Sequence, residues 1–145
     1  MDDIDRKILK LLQKNARISL KTIAENTFLS SPAVSARIER MEKDGVISGY
    51  HARVDPLKLG YHIIAFISIN VAPEDKPGFY DYAEAVSNIL ECNCVTGEQS
   101  MLMKVAFKST MELDAFIGQL QEFGKTSTQI VFSTHVGPRG IDVEG

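Results

Sequence analysis

The spacing of the apolar residues changes once along this chain, and that change limits what it can fold into. Up to Gly45 the apolar side chains recur at helical intervals, whereas beyond Gly60 they come in short runs rich in β-branched residues. Asp2 and Asp3 suit a helix N-terminus, and Ile4, Ile8, Leu11 and Leu12 follow as one stripe, with Arg6, Lys7, Lys10 and Lys14 away from it. After a short connection over Asn15–Ile18, Ser19 can cap a second helix carrying Leu20, Ile23 and Ala24 and ending near Asn26 or Thr27. A brief Phe28-Leu29 turn leads to Ser30 or Ser31 as the cap of a third helix, with Pro32 in its first turn, where a missing N–H costs nothing. Val34, Ile38 and Met41 form its buried stripe, and Gly45 stands where a helix ends in left-handed backbone.

Val46, Ile47, Tyr50 and Val54 mark an extended stretch, and Asp55-Pro56-Leu57-Lys58-Leu59-Gly60 is a turn-rich joint. Beyond it the pattern predicts a strand over 63–71, a helix over 73–88, strands over 90–96 and 101–107, a helix over 111–123 and a last strand over 128–136. The order β-α-β-β-α-β is that of the ferredoxin-like split unit. Helices cover only one face of such a sheet, so the other face needs a cover, for which a second subunit is the natural candidate. The expected organisation is a helical unit over 1–50, an extended linker over 51–60, a sheet unit over 61–138 and a loose Gly-rich tail over 139–145, where Ile141 and Val143 could add a short strand.

With 145 residues the chain is long enough for one domain or two small ones with real cores. Its net charge of −3 argues at first sight against a nucleic-acid partner. Residues 1–55, however, carry ten Lys/Arg against eight Asp/Glu, and residues 56–145 carry six against eleven. The helical half is thus +2 and the other half −5, as for two parts with different partners. The most apolar stretch, Ile63–Ala72, is interrupted by Ser68 and Asn70 and is far shorter than a membrane span. The start Met1-Asp2-Asp3-Ile4-Asp5 has no basic, then apolar, leader pattern, so a cytoplasmic protein is expected. Cys92 and Cys94, two apart in a strand, point to one face and read as small buried hydrophobes, with no further ligands to make a metal site.

Two short helices joined by a tight turn, the second polar on its outer face, describe a helix-turn-helix, whose second helix enters the major groove N-terminus first. That end here offers Ser30, Ser31, Pro32 and Ala33, then Ser35, Ala36, Arg37 and Arg40. Small hydroxyls and alanines approach bases closely, Arg can bond a guanine edge twice, and Arg17, Lys21 and Lys43 suit flanking phosphates. The same periodicity fits a plain three-helix bundle with Arg37 and Arg40 solvating its surface, paired with Glu39 or Glu42.

Arg17-Ile18-Ser19, Ile23-Ala24, Leu29-Ser30, Val34, Arg37-Ile38, Met41-Glu42, Gly45-Val46-Ile47 and Asp55-Pro56-x-x-Leu59-Gly60 together resemble the Lrp/AsnC (feast/famine) family of transcription regulators. The resemblance runs on through Cys94-Val95-Thr96-Gly97-Glu98 and Leu102-Met103-Lys104-Val105, nearly the whole chain. It implies an α+β protein: a three-helix, winged helix-turn-helix unit joined to a ferredoxin-like βαββαβ effector and oligomerisation domain. It further implies that the segment after Gly45 helps clasp a dimer, that dimers form through the sheets, and that they often assemble further into octamers on double-stranded DNA. Family members often sense an amino acid or other small effector at an interface between dimers, near a Gly-x-x-Asp loop. Here that loop reads Gly97-Glu98-Gln99-Ser100, with Ser in place of the usual Asp, and Thr128 and Gln129 of the last strand join it as candidate effector contacts. The family's usual Pro-Gly-Val before that strand is replaced by Phe123-Gly124-Lys125.

His51, His62 and His135 share no motif, and the chain has no Gly-x-Ser-x-Gly, P-loop or metal-spaced cluster, so neither catalysis nor a cofactor is expected. Sirohaem decarboxylases resemble the same two-domain architecture, which makes a tetrapyrrole-processing enzyme the alternative from another class. A regulator that organises DNA without an effector is a further one.

Overall fold

The computed structural model describes residues 1–144, which divide into two compact units, Val54–Val136 and a unit made of Met1–Arg53 with the segment from Gly137 onward. The joint thus falls within the extended stretch, and the C-terminal segment returns to the helical unit.

In that unit α1 spans Asp3–Lys14, α2 Leu20–Thr27 and α3 Ser31–Lys43. Each begins at a side-chain cap that satisfies N–H groups left open by the first turn. The Asp2 carboxylate accepts the Asp5 N–H at 2.9 Å while Asp5 accepts the Asp2 N–H at 3.1 Å, a reciprocal box. Ser19 accepts from Thr22 at 3.1 Å, and Ser30, rather than Ser31, caps α3 by accepting from Ala33 at 3.3 Å. Past Asp44, Gly45 takes φ 74° and lets the Val46 N–H return to the Met41 carbonyl at 2.9 Å. The α2–α3 turn is closed instead by Phe28 at φ 57°, a left-handed backbone that costs a residue with a Cβ roughly 1 kcal/mol.

The stripes converge as expected: Ile8, Leu9, Ile23, Ala24, Val34 and Met41 are buried, with Ile4, Leu11, Leu12 and Ile38 half-buried around them. Full burial of an aliphatic side chain of this kind contributes about 1.5–3 kcal/mol. Residues 46–55 form no strand within the chain. Val143 packs on this core and its carbonyl accepts from Arg6 at 3.1 Å, while Glu144 pairs with Lys10. The tail expected to be loose therefore lies on α1 up to Glu144, without a strand; Gly145 lies outside the described residues.

The other unit holds β1 (Ile63–Ile69), α4 (Lys76–Ala85), β2 (Ile89–Cys94), β3 (Met101–Phe107), α5 (Thr110–Leu120) and β4 (Thr126–Ile130). The sheet order β2-β3-β1-β4, with every neighbouring pair antiparallel, is the ferredoxin-like arrangement. The register places Ala65, Ile67 and Ile69 opposite Val105, Met103 and Met101 on the helix-covered face. These six pack with Phe79 of α4 and with Leu113, Phe116 and Leu120 of α5 into one buried core. Cys92 and Cys94 sit opposite Met103 and Met101, hence on this same face, but on the edge strand β2 Cys92 is only half-buried, its thiol pushed up by that burial, and Cys94 is exposed rather than buried as expected.

Two expected elements are shorter. The helix expected over 73–88 is a single tight turn over Pro73–Asp75 followed by α4. The last strand is Thr126–Ile130 rather than 128–136, because pairing with β1 runs from Thr126 opposite Ile69 to Ile130 opposite Ala65.

Candidate nucleic-acid interface

Small residues and caps shape the N-terminal end of α3. Ser30 is exposed and spends its hydroxyl oxygen on the Ala33 N–H, and Pro32, which needs no partner for its nitrogen, is exposed beside it. Ser31, Ala33 and Ser35 are half-buried and Ala36 is exposed; the Ser35 hydroxyl donates to Glu39 at 3.3 Å. No side chain longer than proline projects over this first turn, so the backbone itself can come close to a ligand surface. Arg17, Lys21 and Lys43 are exposed and take part in no ion pair among the described residues.

Arg37 and Arg40 are placed differently from the other candidates. The Arg37 Nη1 donates to both Asp2 carboxylate oxygens at 2.9 and 2.8 Å and to Asp5 Oδ1 at 3.0 Å. The Arg40 Nη2 donates to both Asp5 oxygens at 2.9 and 2.8 Å. Neither is paired with Glu39 or Glu42 through these atoms. Asp5 is 1% exposed, whereas the Arg37 and Arg40 side chains are 23% and 53% exposed, so two half-open guanidiniums close over one buried carboxylate. The hydrogen bond from Arg37, and after it the Asp5 N–H, hold the Asp2 carboxyl down at about 2. The arrangement is a clamp from the start of α1 to the middle of α3.

The sequence alone does not disclose the clamp: Asp2 and Asp3 suit the helix start there, and nothing local gives Asp5 a partner. The available signal was Asp2-x-x-Asp5, a reciprocal-cap spacing, together with two arginines three apart on one face of α3. On the outer side of the same helix, Tyr50 donates to Glu42 at 2.8 Å; burial first, then Glu42, pushes the phenol up to about 12.

The residues expected to hold an effector are brought together only in part. Gly97 takes φ 112°, which a side chain would strain, at the tip of the β2–β3 turn with Glu98 exposed and Gln99 half-buried next to it. The Ser100 carbonyl accepts the Val95 N–H at 2.8 Å, and its hydroxyl accepts the Val71 N–H at 3.4 Å, which ties the loop to the end of β1. Thr128 and Gln129 point to opposite faces, because side chains alternate along a strand. Thr128 opposes Ile67 on the helix-covered face and Gln129 opposes Phe66 on the open face. One pocket on one face cannot take both.

Known proteins match this architecture along its length. Residues 1–48 match the family described as winged helix-turn-helix DNA-binding, and residues 64–141 match the Lrp/AsnC ligand binding domain. The HTH-type transcriptional regulator FL11 of Pyrococcus abyssi is 38% identical over 144 residues, spanning 93% of this chain and 91% of that protein. Among solved structures, LrpC of B. subtilis superposes with a TM-score of 0.90 at 28% identity, over 95% of this chain and 99% of that one. A feast or famine regulatory protein from M. tuberculosis complexed with L-methionine superposes with a TM-score of 0.88 at 29% identity, over 97% of each chain. Three helices capped for a tight turn, a four-stranded sheet in ferredoxin-like order and relatives that match both halves lead to one assignment: the chain belongs to the Lrp/AsnC family of DNA-binding, helix-turn-helix transcriptional regulators.

Proposed function

We propose that α3 is the recognition helix and that Ser30, Ser31, Pro32, Ala33, Ser35 and Ala36 meet base edges, with Arg17, Lys21 and Lys43 on flanking phosphates. The observation that carries this is the bare, small-residue first turn of α3, in a unit where Arg17, Lys21 and Lys43 are exposed and take part in no ion pair among the described residues. Arg37 and Arg40 act from behind it. Their clamp on Asp2 and Asp5 fixes the angle at which α3 is presented, and Arg40, the more exposed of the two, also reaches the DNA backbone. A unit of charge +2 binds one site weakly, so affinity comes from several copies acting together.

The open sheet face supports a homodimer as the unit of action. It carries Ile64, Phe66, Leu102, Ala106 and Val131, all half-buried or buried in the single chain, with Lys104 opposite Glu91. An apolar sheet face of this kind needs a cover, and a second copy supplies a self-complementary one. Assembly up to octamers would place recognition helices on successive half-sites about 34 Å apart. The protein works in the cytoplasm and has no catalytic role; among its described residues no helix is long and apolar enough to cross a membrane.

For the effector, the methionine complex of the M. tuberculosis relative supports a ligand of the amino-acid class; its candidate contacts in this chain are the turn formed by Gly97, Glu98, Gln99 and Ser100, and Gln129 on the open face, with Thr128 outside the site. Glu98 supplies the carboxylate that Ser100 lacks. Thermal-shift screening against the amino acids tests this, because a ligand that binds the native state raises its stability. A flat response across the set would favour a regulator that works without an effector.

The decisive experiment is selection of bound sequences from random DNA at stated salt, repeated with Arg37→Ala and Lys21→Ala. A recovered consensus supports the reading. Lys21→Ala should weaken specific and random DNA alike and shallow the salt slope by about one, whereas Arg37→Ala should narrow the gap between them. Recovery of no consensus, or a sirohaem spectral change in place of DNA binding, would overturn it.

A further inference from the structure

We infer that Phe28, in the turn before the recognition helix, is a specificity residue that packs on the 5-methyl group of a thymine. The inference rests on α3 being the recognition helix. Phe28 is 93% exposed, the most exposed large apolar side chain of the helical unit. Its neighbours do the opposite: Thr27 is 7% exposed and returns its hydroxyl to the Ile23 carbonyl at 2.8 Å, and Leu29 packs on the core. The turn therefore gains no packing from the phenyl ring.

The ring is also carried on backbone that disfavours it. Phe28 closes α2 at φ 57°, donating its N–H to the Ala24 carbonyl, in the conformation that Gly or Asn adopts with least strain. The other left-handed positions among the described residues, Gly45, Gly60 and Gly97, are all glycine. A phenylalanine that bears strain and buries nothing within its own chain has its use elsewhere, and its position says where. It lies two residues before the Ser30 cap, within about 7 Å of chain from the end of α3 that enters the groove.

In the major groove the group that suits a phenyl ring is the thymine methyl, which no other base presents and which apolar side chains read by contact. The polar base edges are left to the serines of α3, so the turn adds a second kind of reading to the same half-site. A second copy of the chain is the competing occupant, and the measurements below separate the two.

The test takes an operator recovered by selection and replaces its thymines one at a time by deoxyuridine, which removes only the methyl. For the wild-type chain, loss of the contacted methyl should weaken binding about fourfold, the value of one buried methyl group. In Phe28→Ala that position should become indifferent to the methyl while every other thymine behaves as before. Phe28→Gly should lose the same dependence yet melt at a higher temperature than wild type, because it relieves the turn; a merely structural phenylalanine would not separate the two readouts. Two results would overturn the inference: no thymine whose methyl effect disappears in Phe28→Ala, or a Phe28→Ala chain that sediments as a smaller assembly without DNA and keeps the full thymine pattern. A consensus with no Phe28-dependent thymine removes this inference alone, whereas absence of any consensus removes the reading of α3 with it.

Discussion

The two units of the chain hold their helices in place by different means. The sheet unit packs twelve buried apolar residues into one core, and no charged side chain lies among them. The helical unit buries six, and its core borders Asp5, the one buried charged residue among those described. Hydrophobic burial is strong but non-directional. A sheet supplies direction through its register, because a slip by one residue would turn every core side chain outward. Three short helices have no such ladder, and the burial of six apolar side chains does not by itself set the roll of α3 on α1. The clamp of Arg37 and Arg40 on Asp2 and Asp5 supplies the missing direction through charge-assisted hydrogen bonds with fixed geometry. The unit that must present a helix at a set angle is thus the one that carries a buried carboxylate.

The largest effect expected on this contrast comes from the sheet unit. Phe79 is fully buried and meets Phe123 edge-on with ring centres 5.6 Å apart, so Phe79→Ala should cost that unit about 4 kcal/mol. Hydrogen exchange followed separately over α1–α3 and over β1–β4 would locate the loss in the sheet unit, and salt should leave it unchanged. Equal loss of protection in both units would show that they unfold as one and that the contrast has no energetic meaning.

Next comes the clamp. Asp5→Ala takes Arg40's partner away and leaves Arg37 with Asp2 alone, and because both guanidiniums are partly open to water the cost should be about 3 kcal/mol, the low end for breaking a buried pair. The loss should appear over α1–α3 only. Asp5→Asn keeps the shape and should recover less than half of it, since the amide is uncharged and sets an NH2 donor where Asp5 Oδ2 accepts from Arg40 and from the Asp2 N–H. Full recovery by asparagine would mean that shape rather than charge orients α3.

How much of this could be read from the sequence follows the same contrast. The stripes and caps of α1–α3, the Gly45 stop and the strand order of the sheet were legible because local rules decide them: a 3.6-residue period, a serine before a helix, a run of β-branched residues. What escaped depended on contacts between elements distant in sequence. Asp5 is buried only because α3 crosses α1, and Arg37 and Arg40 face it for the same reason. The last strand was displaced because Val131 and Phe132 look more strand-like than Thr126-Ser127, yet pairing with β1 begins at Thr126. Thr128 and Gln129 were grouped by polarity, whereas the register sends them to opposite faces. Phe28 was legible only as a turn residue; its left-handed backbone and exposure belong to the folded chain.

The smallest expected effect is also the most specific to the clamp. Asp2 is exposed, and its carboxyl is held at about 2 chiefly by Arg37 against an ordinary value of 3.8. Its folded value lies below the unfolded one, so above about pH 4 its contribution to stability is complete, and it fades as the pH falls through 4 toward 2. The helical unit of the wild type should therefore lose melting temperature over that window by a small margin that Arg37→Ala reduces, because without the guanidinium only the capping N–H groups hold the folded Asp2 carboxyl down. High salt should shrink the margin, as it does for exposed pairs. An acid-induced decline of equal size in wild type and Arg37→Ala would mean that other carboxylates set it. The Arg37–Asp2 arm would then serve to aim α3, with the buried Asp5 alone supplying the energy that keeps it there.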